Sequence, residues 1–223
     1  MKNKNDDIEL DSLLNLHGQP ESDEIVVNEF TENSAQAFRN SVLEAAEKDP
    51  QEPIVVYIDS YGGYADSLAK MIETMDEVPN PFITVAIGKA MSCGAILLSH
   101  GDMRFVGRHA RVMIHEISAG TGGDVHDIGA DSNEFKRQNK HFLGLLAENC
   151  NIKGGYAALR RMIKDQDGRN TYLDAAAAVK FGIADFVGMP LINRIISYEI
   201  GVVPTKVRLK NLVKATKKSD TRG

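Results

Sequence analysis

Cysteine is scarce in this 223-residue chain: Cys93 and Cys150 are the whole complement, and no C-x-x-C pair occurs. That excludes a disulfide framework and makes a reducing compartment the expectation. Long apolar runs are missing too. No stretch approaches the ~18 residues that a membrane-spanning helix requires, and the polar, acidic start has no apolar core of the kind a secretory signal carries. A cytoplasmic product with no membrane partner is expected. The six histidines (His17, His100, His109, His115, His126, His141) form no H-x-x-x-H pair and no cluster with cysteine, so no metal centre is expected. Neither G-x-x-x-x-G-K-[ST] nor G-x-G-x-x-G stands at the strand-to-helix turns, which argues against a phosphate loop. No cofactor is indicated. A net charge of −5 argues against a general nucleic-acid surface.

The charge that is present is unevenly placed. Residues 1–24 hold seven acids against Lys2 and Lys4, and residues 206–223 hold seven bases against Asp220. Both ends read as solvated arms. The expected organisation is an acidic arm over 1–23, one α/β domain over 24–188, and an extension over 189–223 with a basic tail. Such a tail either solubilises the chain or meets an acidic partner surface.

Between the arms, apolar runs alternate with amphipathic stretches. Glu24–Val27 reads as a first strand, and Asn33–Lys48 as a helix whose Ala35, Phe38, Val42 and Ala45 fall at three- and four-residue steps on one face. Ile54–Ile58 is a near-continuous hydrophobic strand of the kind covered on both faces in a parallel α/β sheet. Asp59-Ser60-Tyr61-Gly62-Gly63 follows as a turn, then a helix over Tyr64–Glu77. The plan repeats with a strand over 82–87, a turn of small residues through Ser92, and an apolar helix from about Ser92. Two successive strand–turn–helix units predict β-α repeats whose turns emerge on one sheet edge. Further along, Met103–Val106 and Ala110–Ile114 read as strands, Asp124–Asn149 as a long helix and Tyr156–Lys164 as a short one. Asp165–Leu173 reads as a polar loop, and Asp174 as the cap of a helix over 175–181 that stops at Gly182.

Three positions carry chemistry. A serine at a strand-to-helix corner has its hydroxyl lifted clear of the sheet, beside helix N–H groups that can hold an oxyanion. Ser92 stands at such a corner, where helix capping is the competing role. The Gly62-Gly63 pair lets a backbone approach a ligand closely, although most such pairs are only turns. His115 leaves the strand ending at Ile114, and its ordinary pKa near 6.5 suits a general base. A polar loop-end histidine is the alternative.

Ser60-Tyr61-Gly62-Gly63, Ala90-Met91-Ser92-Cys93-Gly94-Ala95, Val112-Met113-Ile114-His115 and Ala178-Val179-Lys180-Phe181-Gly182-Ile183-Ala184-Asp185 resemble, in order, the signatures S-P-G-G, A-S-M-G-A, M-I-H and E-A-x-x-x-G-L-V-D of ClpP-type serine peptidases. The resemblance covers about residues 24–188 and implies the ClpP/crotonase spiral of β-β-α units, with a protruding handle helix at about 124–150. It implies Ser92 as nucleophile, His115 as general base and acid, and the N–H groups of Gly63 and Cys93 as oxyanion donors, each worth about 3 kcal/mol. The Cys93 side chain, one residue past the nucleophile, reads as a small buried packing residue. Asn170 falls where the family's Asp precedes [RT]-[FWY]-[LF]. An Asn oxygen can orient a histidine, as in papain-like proteases, but it supplies no charge, and an Asp-to-Asn change can cost ~10⁴ in rate. Asp165, Asp167 and Asp174 are nearby substitutes.

Tyr61 in place of the turn proline, and the basic extension, bring the chain nearer to phage-encoded ClpP-like proteases. The resemblance further implies a peptide or unfolded-protein substrate and self-association into rings, heptameric and stacked in pairs. A separate ATP-dependent unfoldase or a capsid or scaffold protein would be the partner. Two other readings compete: a catalytically impaired ring or scaffold, motivated by Asn170, and a crotonase-type acyl-CoA enzyme. The latter expects catalytic carboxylates where Ser92 and His115 stand.

Overall fold

The computed structural model describes residues 24–164 and 170–192. The acidic arm, the segment 165–169 and the basic tail lie outside the described residues. Two compact units divide after Pro190, and every element below belongs to the first.

Strand β1 (Ile25–Val27) leads to helix α1 (Glu32–Lys48). A reciprocal cap starts that helix: Thr31 Oγ1 accepts from Ser34 N at 3.2 Å, and Ser34 Oγ accepts from Thr31 N at 2.8 Å. Its face of Ala35, Phe38 and Val42 is buried, as the spacing requires. Strand β2 (Ile54–Ser60), helix α2 (Ala65–Glu77), strand β3 (Phe82–Met91) and helix α3 (Cys93–Ser99) form the two successive units. Strands β4 (Met103–Val106) and β5 (Arg111–His115) follow, then helices α4 (Val125–Asn149) and α5 (Gly155–Lys164). Strand β6 (Asn170–Leu173), helix α6 (Ala175–Phe181) and strand β7 (Phe186–Val187) complete the unit.

The main sheet runs β1-β2-β3-β4-β7, and all these pairings are parallel. This is the mixed α/β spiral that the ordered signatures implied. Because β2 and β3 are parallel, their carboxyl ends lie together, which brings the Gly62-Gly63 turn and Ser92 to one edge.

Strand β3 does not stop at Ile87, as the apolar run suggests, but continues to Met91. Its two halves have different neighbours. Ile83–Ala86 pair with β4, and Lys89–Met91 pair with β5. Gly88 sits at the fork with φ +67°, and a Cβ there would lie 2.8 Å from Asp59 Oδ1. Glycine is required by both conformation and space. A second difference is that residues 170–173, read as loop from their polarity, are strand β6. They pair antiparallel with β5 and bury Thr171 and Leu173 in alternation. The partner strand supplies order that the composition does not advertise.

Cover on the two sheet faces is unequal. Val56 and Ile58 join the large cluster with Phe30, Leu68, Met71, Leu97 and Leu146, all of them buried. Val55, on the opposite face, joins only Ile83 and Val85, flanked by Tyr57, Ile87 and Phe105. Both faces of the near-continuous apolar β2 are buried, and among the described residues the larger cluster lies on the Val56 side. Helix α4 is likewise divided along its length: its last turns bury Phe142, Leu143, Leu146 and Ala147, while Val125 near its start is 84% exposed. Among the described residues no helix is long and apolar enough to cross a membrane.

Candidate active site

Ser92 is built into the corner between β3 and α3. Its φ of 55° and ψ of −118° lie where residues with a side chain are rarely found, and such strain collects at functional turns. Two contacts fix this conformation: Ser92 N donates to Met113 O at 2.8 Å, and Ser92 O accepts from Ala95 N at 3.0 Å. The serine occupies the cap position of α3, yet its hydroxyl makes no capping bond. Instead Ser92 Oγ lies 2.8 Å from His115 Nε2. That choice of partner separates a nucleophile's geometry from a helix cap's, because the side chain bonds away from the helix it precedes.

His115 is the last residue of β5, which pairs with the half of β3 that leads into Ser92. Burial lowers its pKa below the ordinary imidazole value, with the Glu116 peptide partly opposing. The neutral ring is thus the resting form, as a base must be. Beside it, Glu116 is paired with Arg160, which holds its carboxyl below the usual range, so that charge is committed elsewhere.

Gly62 lies directly against the serine, and Gly63 against Phe30. A Cβ on Gly62 would fall 2.7 Å from Ser92 Cβ, and φ at that residue is +106°. Ser60 Oγ accepts from Gly62 N at 3.1 Å and holds the turn closed. Tyr64 N donates to Phe30 O at 2.8 Å, tying the turn to the segment after β1. The first N–H of α3, that of Cys93, has no acceptor within its own helix. The Cys93 side chain is buried, and its Sγ donates to Gly63 O at 3.4 Å. Desolvation pushes that thiol's pKa up, so it stays protonated and serves as a link between the two turns. The sequence indicated its burial but not this bond.

Lys89 adds a tie that no motif marks. Its Nζ donates to Asp59 Oδ1 at 2.6 Å and lies 4.6 Å from the centre of the Tyr61 ring. The exposed tyrosine in the proline's place is thereby held by a cation stacked on its face.

Asn170 is the register partner of His115 across the β5–β6 ladder. Its side chain is exposed, and among the described residues no hydrogen bond joins it to the imidazole. Asp174 is engaged otherwise: it caps α6, accepting from Ala177 N at 2.8 Å. Asp165 and Asp167 lie outside the described residues. An apolar pocket adjoins the serine and histidine, with Leu68, Ile96 and Phe142 among its walls. A larger cavity, about 980 Å³, lies elsewhere, at the starts of β3 and β4, and contains neither Ser92 nor His115. Among the described residues no group of three His, Cys, Asp or Glu side chains could hold a metal ion.

A hydroxyl in hydrogen-bond contact with an imidazole, beside a glycine turn and a helix start, is an arrangement that could carry out acyl transfer. Comparison with known proteins shows the family. The model of the Clp protease family matches residues 20–190. ATP-dependent Clp protease proteolytic subunit 2 of Corynebacterium diphtheriae is 33% identical over 148 residues, 66% of this chain and 71% of the relative. ATP-dependent Clp protease proteolytic subunit 3 of Rhodococcus jostii is 32% identical over 165 residues, 73% of this chain and 79% of the relative.

Proposed function

This chain belongs to the Clp protease family, and from that premise we propose that it is a serine-type endopeptidase working through Ser92 and His115. The observation that carries the proposal is the 2.8 Å contact between Ser92 Oγ and His115 Nε2 at a strained corner. In the reaction, Nε2 accepts the serine proton as Oγ adds to the peptide carbonyl carbon. The carbonyl oxygen, now an oxyanion, is held by the N–H groups of Gly63 and Cys93. His115 then returns the proton to the departing amine, leaving an acyl-serine that water hydrolyses by the same steps reversed. Asn170 stands in the third position, where its amide oxygen would accept from Nδ1–H and fix the tautomer without adding charge.

The domain spans residues 24–188, between an acidic arm and a basic extension. Protomers associate into rings, and helix α4 is the handle that joins one ring to another. The site then faces an enclosed chamber that admits peptides or unfolded protein. The relatives' names describe subunits of ATP-dependent proteases, and a separate ATPase partner fits that description.

The test is hydrolysis of fluorescently labelled casein by the native chain and three variants. Ser92→Ala and His115→Ala should each lose at least ~10³ in kcat. Asn170→Asp should raise kcat by ~10-fold or more, with ~10⁴ as the ceiling. A second reading is favoured by the exposed Asn170 side chain and its lack of a bond to His115: a ring whose triad is impaired. Native inactivity with activity appearing in Asn170→Asp would select it, and hydrolysis by the native chain that persists undiminished in Ser92→Ala would refute both.

A further inference from the structure

The glycine turn beside Ser92 has one peptide unit tied at both ends. In the unit between Gly63 and Tyr64, Tyr64 N donates to Phe30 O at 2.8 Å, and Gly63 O accepts from Cys93 Sγ at 3.4 Å. In the unit before it, Gly63 N donates to no group among the described residues. That N–H stands between two pinned points, since Gly62 N is held by Ser60 Oγ at 3.1 Å. Gly63 is exposed, with φ +156°, and a Cβ there would lie 2.4 Å from Phe30 O, so glycine alone fits. A glycine pair is the most mobile backbone a chain offers, whereas an oxyanion donor acts only from a fixed direction. Among the ties that fix this turn, the Cys93 thiol is the one that comes from the helix following Ser92.

We propose that Cys93 is a positioning residue for the oxyanion turn: its thiol, by donating to Gly63 O, sets the direction in which the Gly63 N–H meets the substrate's carbonyl oxygen. The inference rests on the reading of Ser92 as nucleophile and Gly63 as donor. The sulfur is well placed for this. Cys93 is buried, and the Gly63 backbone, the Ser92 hydroxyl and its own backbone each offset part of the desolvation that raises its pKa. A thiol kept neutral donates without setting a negative charge beside the oxyanion. Its influence falls on the transition state, where the oxygen carries charge, and not on the peptide as it binds. The side chain therefore does more than pack.

One blocked tripeptide in three forms tests this: the aminocoumarin amide, the aldehyde and the alcohol. Ser92 Oγ adds to the aldehyde carbon, its proton passing by way of His115 to the oxygen that meets the Gly63 N–H. The alcohol cannot be attacked and reports binding alone. Turnover is counted per Ser92 titrated to completion with a fluorophosphonate, so misfolded chains drop out. Cys93→Ala and the volume-filling Cys93→Val should each lower kcat ~10–100-fold with KM within ~2-fold. Aldehyde affinity, read as protection of Ser92 from the fluorophosphonate, should fall by a like factor, and alcohol affinity should not change. Cys93→Ser, which keeps a donor, should stay within ~5-fold of the native chain.

Full kcat in Cys93→Val would assign the side chain to packing and overturn the proposal. So would a loss carried by KM, a loss that spares the aldehyde, or a Cys93→Ser variant as slow as Cys93→Ala. Each of those results leaves the serine mechanism standing. A native chain whose Ser92 neither takes the phosphonate nor binds the aldehyde would refute the mechanism and the proposal together.

Discussion

At the scale of single residues, the strongest mark of function is a conformation rather than a residue type. Ser92 holds a positive φ that a side-chain-bearing residue adopts at a cost of ~1–3 kcal/mol. The surrounding contacts to Met113 O and Ala95 N maintain it. Replacement by glycine relieves that cost, whereas alanine keeps it. Ser92→Gly should therefore unfold at a higher denaturant concentration than Ser92→Ala, by about 1 kcal/mol, with both inactive. Equal stability of the two variants would show that the corner is unstrained. The sequence pointed to Ser92, Gly63, Cys93 and His115 because ordered short motifs mark them. It did not reveal the thiol bond from Cys93 to Gly63 or the stacking of Lys89 on Tyr61, since each joins residues about thirty positions apart that no local pattern links.

At the scale of elements, local signals did well where an element has a face of its own and poorly where a neighbour creates it. The helix over Glu32–Lys48 was legible from apolar spacing and its cap. Strand β6 was not, because Asn170–Leu173 become a strand only by pairing with β5. The extension of β3 past Gly88 was hidden for the same reason, as β5 rather than composition orders Lys89–Met91. The end of the chain's core depends on a comparable long-range tie. Arg104 on β4 binds Asp185 through both carboxylate oxygens, at 2.5 and 3.0 Å, and also donates to Asn149 O and Gly182 O. Arg104 thus joins β4 to the ends of α4 and α6. The arginine holds the Asp185 carboxyl below the usual range. A depressed carboxylate stabilises the fold above its unfolded pKa near 3.9, and that contribution is lost as pH falls through the folded value. Asp185→Asn should therefore cost about 1.5–3 kcal/mol at pH 7. The gap from the native chain should narrow below pH 4 in urea titrations, and a gap independent of pH would dismiss the ion pair as its cause.

At the scale of the whole molecule, the exposed first turns of helix α4 ask for a partner. A helix with its first turns exposed and its last turns buried is suited to project from a protomer and pack against another copy. Light scattering of the full chain should give the mass of seven or fourteen protomers, and removal of the exposed half of α4 should leave single rings. A monomeric mass at micromolar concentration would contradict the assembly. Within a ring the site would be closed to folded proteins but open to a small phosphonate, which makes the chemistry measurable without a substrate or an ATPase partner. The decisive measurement is the rate of Ser92 phosphonylation by a fluorophosphonate as a function of pH, with the adduct located by peptide mass. His115 is needed in its neutral form, and burial lowers its pKa. The rate should thus rise with pH through a midpoint below 6.5, with the label on Ser92 alone and labelling at least ~10³-fold slower in His115→Ala. No adduct on the native chain at any pH, or an adduct on Ser92 that forms equally fast without His115, would contradict the nucleophile–base pair.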